Sequence, residues 1–169
     1  ALDLGEIDVT ILAEPRVVAQ ARDEEDRPGF TGYGNGSQLM INAREGHPGS
    51  DVRVRQALAA AIDPEVISDR VNEGQSVATS AIVHPDSPLY TDGLGESLVD
   101  TGRAEELVEE AKSDGWEGSI DLLSTDTPAA EETAITVEAM LEAVGMEVNV
   151  EHLPVAEMVE RVSVDKNFD

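Results

Sequence analysis

The sequence predicts an α/β fold, a mixed sheet with helices packed on it, and three features carry that expectation. Residues 119–153 read as strand, helix and strand with the lengths of a crossover unit, which makes the two strands parallel and neighbours or near neighbours. Short runs, "EIDVTIL" at 6–12 and the apolar "QLMINA" at 38–43, read as further strands. Between these blocks the apolar positions recur with helical spacing and stop at Pro, Gly or Asp. The chain of 169 residues has the size of a single domain. It is 40% hydrophobic but only 3% aromatic, so its core must be built from Val, Ile, Leu and Ala.

In chain order, the strand at 6–12 is followed by a short helix at 14–22, "EPRVVAQAR", with Pro15 at its first position. "DEEDRPG" breaks it, and "GYGNGS" at 32–37 is the strongest turn signal in the chain. No Gly-Lys-Ser/Thr follows those glycines and a strand comes next, which excludes a phosphate cradle. Ser50 or Asp51 can accept the free N–H groups of the helix that begins "DVRVRQALAAAID". Val54, Leu58 and Ile62 form its buried stripe, and Ala57 and Ala61 let a neighbour approach closely. This helix is expected to pack against the sheet. Arg53 and Arg55 diverge by about 200° around its axis, so they cannot converge on one anion and are expected to pair with local carboxylates. Asp63 caps the next helix, with Pro64 at its first position, Glu65 in its first turn and Val66, Ile67 and Val71 on its apolar side.

Ala104, Leu107, Val108 and Ala111 fall on one helical face, with Gly115 placed to end that helix. "SIDLLS" at 119–124 is a strand, and Thr127-Pro128 starts a helix buried through Ala130, Ala134, Val137, Leu141 and Val144 until Gly145 stops it. "MEVNVEHL" at 146–153 is the second strand of the unit. Pro154 opens a last helix with Val155, Met158, Val159 and Val162 expected inward. The chain opens without Met at "ALDLGEID" and closes on "DKNFD", the pattern of a piece excised from a longer protein.

Charge removes several functional classes. There are 36 acidic against 11 basic side chains, a formal charge of −25 and a pI near 4.1. Phosphate backbones and anionic bilayers need Lys and Arg to displace counterions, so nucleic acid is not an expected partner. The corner at Asp63-Pro64 has the outline of a helix-turn-helix, but its second helix would present Glu65, Asp69 and Glu73 to the groove. Lys112 and Lys166 are the only lysines, an arginine-biased usage that fits a GC-rich genome or a salt-adapted organism. The acidity itself reads as a solvated surface rather than a cation-binding face.

Catalytic chemistry is sparse. With no cysteine, disulfides and Cys-based zinc sites are excluded. His47, His84 and His152 lie far apart with no second ligand at helical spacing, so no metal is expected. No Gly-x-Ser-x-Gly elbow is present. The pairs Glu105-Glu106, Glu109-Glu110 and Glu131-Glu132 sit on solvated helix faces. Neither an enzyme nor a cofactor is indicated.

"DVRVRQALAAAID", followed by "PEVISDRV" and "GQSVATSAIVHPDSPLY", resembles the family 5 extracellular solute-binding proteins of peptide, nickel and oligosaccharide ABC transporters. "LDLGEIDVTIL", "GRAEELVEEAKSDGW" and "SIDLLSTDTPAAEETAITVEAMLEAVGMEVNVEHL" are similar to further segments of that family in the same order. The match to its proline-rich loop is loose, and its Tyr-Asp before the alanine-rich helix is here "LVD" at 98–100. The resemblance implies one lobe of a two-lobed, type II periplasmic-binding-protein fold, with residues 1–35 as a candidate lobe-connecting segment. It implies a solute, most simply a dipeptide or oligopeptide, trapped between lobes and delivered to permease subunits outside the cytoplasm; whether the protein is lipid-anchored stays open, since any anchoring signal would lie upstream. It implies a fragment that is monomeric and holds half a site.

Open α/β sheets bind ligands at strand ends. Within that reading Asn42, Ser124 and Thr125 are expected nearest the cleft, with Tyr33 leading into the Asn42 strand. Trp116 is either an aromatic wall or a packing contact. "NFD", ending at Asp169, resembles the strand that enters the family's ligand segment. The alternatives are a protein-interaction or structural module without transport, and a carboxylate-based enzyme.

Overall fold

A computed structural model describes residues 5–12, 14–23, 38–74, 78–80, 83, 87–91 and 97–169. Its elements run α1 (Pro15–Asp23), a 3₁₀ turn (Pro48–Ser50), α2 (Val52–Ala61), α3 (Pro64–Val71), α4 (Thr101–Ser113), β1 (Ser119–Thr125), α5 (Pro128–Ala143), β2 (Glu147–Leu153) and α6 (Val155–Val159). A π-helical turn over Glu160–Asp165 continues α6. The fold is α/β, helices on a small sheet.

β1 and β2 pair in parallel, from Ser119 opposite Glu147 to Thr125 opposite Leu153. α5 is the crossover between them and covers the sheet. The two helices flanking β1 and β2 end by one device. Gly115 (φ 107°) and Gly145 (φ 90°) take the left-handed conformation. The next residues, Trp116 and Met146, return their N–H groups to Ala111 and Leu141. Lys112 Nζ then donates to Gly145 O at 2.6 Å, tying the end of α4 to the turn before β2.

The N-caps follow the side chains that the sequence offers. Asp51, Asp63, Asp100 and Thr127 each accept a first-turn N–H. Val54, Leu58, Val108 and Leu141 are fully buried and form the centre of the core. Ala57 and Ala61 of α2 are closed against α4, whose Ala104 and Ala111 are equally buried. These small residues let the two helix backbones come close. The main partner of α2 is therefore α4 rather than the sheet, because the alanine faces match each other.

Two expected strands are not strands here. Residues 6–12 make no ladder among the described residues, and Val9 and Ile11 are 83% and 93% exposed. Residues 38–43 have no regular secondary structure, and their described backbone contact is from Asn42 N–H to Asp169 O rather than to a neighbouring strand. Alternation records which face a strand would turn to the core, not the edge through which it pairs, and neither segment meets a partner strand among the described residues. The last helix also differs. Val155 and Val159 are more than half exposed, while Met158 and Val162 are half-buried.

Candidate functional site

The segment 38–43 ends at a tight turn, after which the 3₁₀ turn packs against it. Gly49 makes this possible: a Cβ there would stand 2.5 Å from Ile41 Cγ2 and 2.6 Å from Asn42 O. Asn42 is consequently buried, 5% exposed. Its side-chain amide donates to Lys166 O at 3.2 Å and Phe168 O at 2.8 Å, and its Oδ1 accepts the Arg44 N–H at 3.3 Å. Its backbone N–H donates to Asp169 O. The amide nitrogen of this side chain thus holds residues 166–168, while its oxygen closes the local turn at Arg44.

Asp169 is the hub of the same junction. One carboxylate oxygen lies 3.1 Å from His47 Nδ1, and the other accepts the Asp121 N–H of β1 at 3.0 Å. The carboxylate thus joins the loop after residue 43 to the edge of the sheet. His47 and Asp121 belong to this cluster although the sequence marks neither. They are separated from Asp169 by 122 and 48 positions, and no local pattern signals the meeting.

Beside the junction lies a groove of about 310 Å³. Residues 38–41 form one wall, Ile120–Leu123 of β1 another, and Met158, Val159 and Val162 a third, with Phe168 and Asp169 at one end. Its lining is mainly apolar. A second hollow of about 320 Å³, bordered by Asp63, Glu65, Thr79, Ser80 and Ser97, is polar, but Asp63 is already committed to capping α3 through the Glu65 N–H.

The remaining residues expected near a cleft do not join this cluster. Ser124 and Thr125 lie at the carboxyl end of β1, roughly 10 Å along the strand from Asp121. The Ser124 hydroxyl is used locally, donating to Ala130 O at 3.1 Å. Trp116 precedes the amino end of β1, packs against the core, and donates its indole N–H to Ser119 O at 3.2 Å. That is the packing alternative of its two readings. Tyr33 and His84 lie outside the described residues.

The arginines of α2 diverge as their spacing requires. Arg53 bridges Asp51 and Asp114, each at 2.6 Å. Arg55 instead donates to the backbone oxygens of Gly49 and Ser50, at 2.7 and 3.1 Å, so among the described residues only Arg53 of the two pairs with carboxylates. Hydrogen bonding from Arg53, above all, holds the Asp51 carboxyl below its ordinary pKa, against an opposing effect of burial. The same contacts, from Asp51 first and Asp114 second, push the Arg53 guanidinium above its own. These are structural ion pairs that lock the start of α2 to the end of α4. Among the described residues, no three His, Asp or Glu side chains gather closely enough to hold a metal ion.

Comparison with curated proteins returns no match. Solved structures do match, as folds. The oligopeptide-binding protein AppA from Bacillus subtilis, in complex with a nonapeptide, aligns at a TM-score of 0.60 and 24% identity over 71% of this chain and 27% of its own. NikA from Brucella suis, in complex with Fe(III)-EDTA, aligns at 0.66 and 24% over 76% of this chain and 28% of its own. A dipeptide-binding protein from Pseudoalteromonas sp. SM9913, in complex with Met-Leu, aligns at 0.61 and 24% over 72% and 25%. The chain therefore spans about a quarter of the length of these structures. The model of the bacterial extracellular solute-binding proteins, family 5 (middle), matches residues 1–169, and the chain belongs to that family.

Proposed function

We propose that residues 1–169 supply part of one lobe of a solute-binding protein that traps a dipeptide or oligopeptide between two lobes. The captured solute is presented to the permease of an ABC transporter, outside the cytoplasmic membrane. The observation that carries this reading is the family match along the whole chain, on a fold shared with proteins solved with a nonapeptide and with Met-Leu. Asp51, whose carboxyl pKa is lowered, caps a helix and pairs with an arginine.

Within the lobe, the carboxyl ends of β1 and β2 lie on one edge because the strands are parallel. That edge, with Ser124 and Thr125, is the part of the chain we place toward the solute. Asn42 and Asp169 act behind it, by fixing the segment 166–169. Trp116 belongs to the core at the opposite end.

The test is native mass spectrometry of the full-length protein that carries this lobe, purified without denaturation. A co-purifying ladder of peptide masses is the expected result. An empty protein whose thermal transition is unmoved by dipeptides, oligopeptides or a nickel chelate would defeat the reading.

A further inference from the structure

Asp169 meets its neighbours in two chemically different ways. Its backbone carbonyl accepts the Asn42 N–H, a contact between amide groups that carry no titratable proton near neutrality. Its side chain makes the other contact on both oxygens at once. Oδ1 lies 3.1 Å from His47 Nδ1, and Oδ2 accepts the Asp121 N–H of β1 at 3.0 Å. The pair is mostly shielded from water, with the His47 and Asp169 side chains 26% and 16% exposed. A carboxylate gripped on one oxygen is oriented on the other, so His47 aims the oxygen that β1 uses.

His47 is also the member of this cluster that changes charge near neutral pH, because imidazole is the side chain that titrates there. Other charged groups surround it. Arg44 and Glu45 are exposed on its own loop. From α2, Arg55 donates to Gly49 O and Ser50 O, and Asp51 is bound to Arg53. Lys166 and Asp169 lie on the segment packed against it, and Asp121 of β1 turns its carboxylate to the Asn149 amide at 3.1 Å. As classes, carboxylates, guanidinium and ammonium groups hold one charge between about pH 5.5 and 8.5. An imidazolium carries a proton on each ring nitrogen and donates to Asp169 in either case, whereas a neutral ring carries one proton and donates in only one of its two tautomers. Charge on the donor also makes such a bond roughly twice as strong.

We infer that His47 is a proton-operated clamp. Protonated, it fixes the Asp169 carboxylate on the Asp121 N–H. Neutral, it lets that carboxylate turn to water, while the backbone contact between Asn42 and Asp169 persists. The clamp is therefore closed below the titration range of imidazole and opens as pH rises through it. It makes the tie between residues 166–169 and β1 sensitive to pH and leaves the tie to residue 42 constant.

Amide hydrogen exchange on the full-length protein that carries this lobe, followed from about pH 5.5 to 8.5, tests this. The Asp121 amide reads the clamp and the Asn42 amide is the internal reference, each rate corrected for its intrinsic dependence on pH. Protection of Asp121 relative to Asn42 should fall about fivefold as pH rises, the difference between a charged and a neutral donor. In His47→Gln, which keeps a donor but has no proton to lose, the ratio should stay flat near the native high-pH value. A native ratio that rises, or changes by less than about twofold, overturns the proposal. So does a fall that persists in His47→Gln, which assigns the titration to another group. An Asp121 amide already unprotected at the acid end overturns it too, as does equal loss at Asn42 and Asp121, which means that the whole segment loosens. No solute enters the measurement, so the clamp and the transport reading fail separately.

Discussion

An asparagine at the end of an apolar run invites a ligand contact, yet the fold turns the Asn42 amide inward onto two backbone carbonyls. Asn42→Ala removes both donors and should cost about 1–3 kcal/mol in denaturant unfolding. Asn42→Asp is the sharper test, since it sets a carboxylate against the Lys166 and Phe168 oxygens. At neutral pH it should be less stable than the alanine variant. Equal or greater stability for Asn42→Asp would show that the amide does not hold residues 166–169. Asp51 makes a different prediction. Its folded pKa lies below the ordinary value of 3.8, through hydrogen bonds from Arg53. The stability it contributes is thus fully present above that value and is lost as pH falls through the lower, folded pKa. Asp51→Asn keeps an acceptor for the Arg53 N–H but not the charge. Its urea midpoint should lie below that of the native chain at pH 7, and the gap should narrow in acid. A gap independent of pH would remove the ion pair from the account.

The elements divide by how local their causes are. The helices and the β1–α5–β2 unit are legible because Asp51, Asp63, Thr127, Gly115 and Gly145 mark their own boundaries and the apolar spacing marks the faces. Segment 6–12 carries a clear alternation and 38–43 a short apolar run, but a strand exists only through a partner, and neither pattern names one. The Asn42–His47–Asp121–Asp169 junction was illegible for the same reason, its members being brought together by the fold over as many as 122 positions. Small residues give one exception that a sequence reader could use. Gly49 sits where the 3₁₀ turn crosses the 38–43 segment, and a methyl group there meets backbone, which cannot rotate away. Gly49→Ala should therefore destabilise by about 1–3 kcal/mol, as overpacked sites do. It should also raise hydrogen exchange at Asn42. Unchanged stability and exchange would mean that the turn does not press on that segment.

For the whole molecule the dominant long-range force is self-repulsion. The formal charge of −25 leaves a large excess of carboxylates after the arginines have been paired. Arg103 with Glu106 and Arg161 with Glu151 are solvent-accessible pairs that contribute little and are weakened by salt. Repulsion among the surplus carboxylates is weakened by the same salt, and the surplus outnumbers the pairs, so screening should favour the folded state. The Debye length falls from about 10 Å at 0.1 M to about 3 Å at 1 M, so most of the gain should arrive within that interval. Thermal unfolding followed by circular dichroism should show Tm rising between 0.1 and about 1 M KCl, then flattening. NaCl should act equally, since screening depends on ionic strength. Sulfate, which also strengthens apolar burial by exclusion, should keep raising Tm beyond that point. A chain whose Tm falls with KCl would be governed by its ion pairs instead. One that responds to sulfate but not to KCl would owe its salt dependence to burial, and its acidity would then serve solubility rather than adaptation to salt.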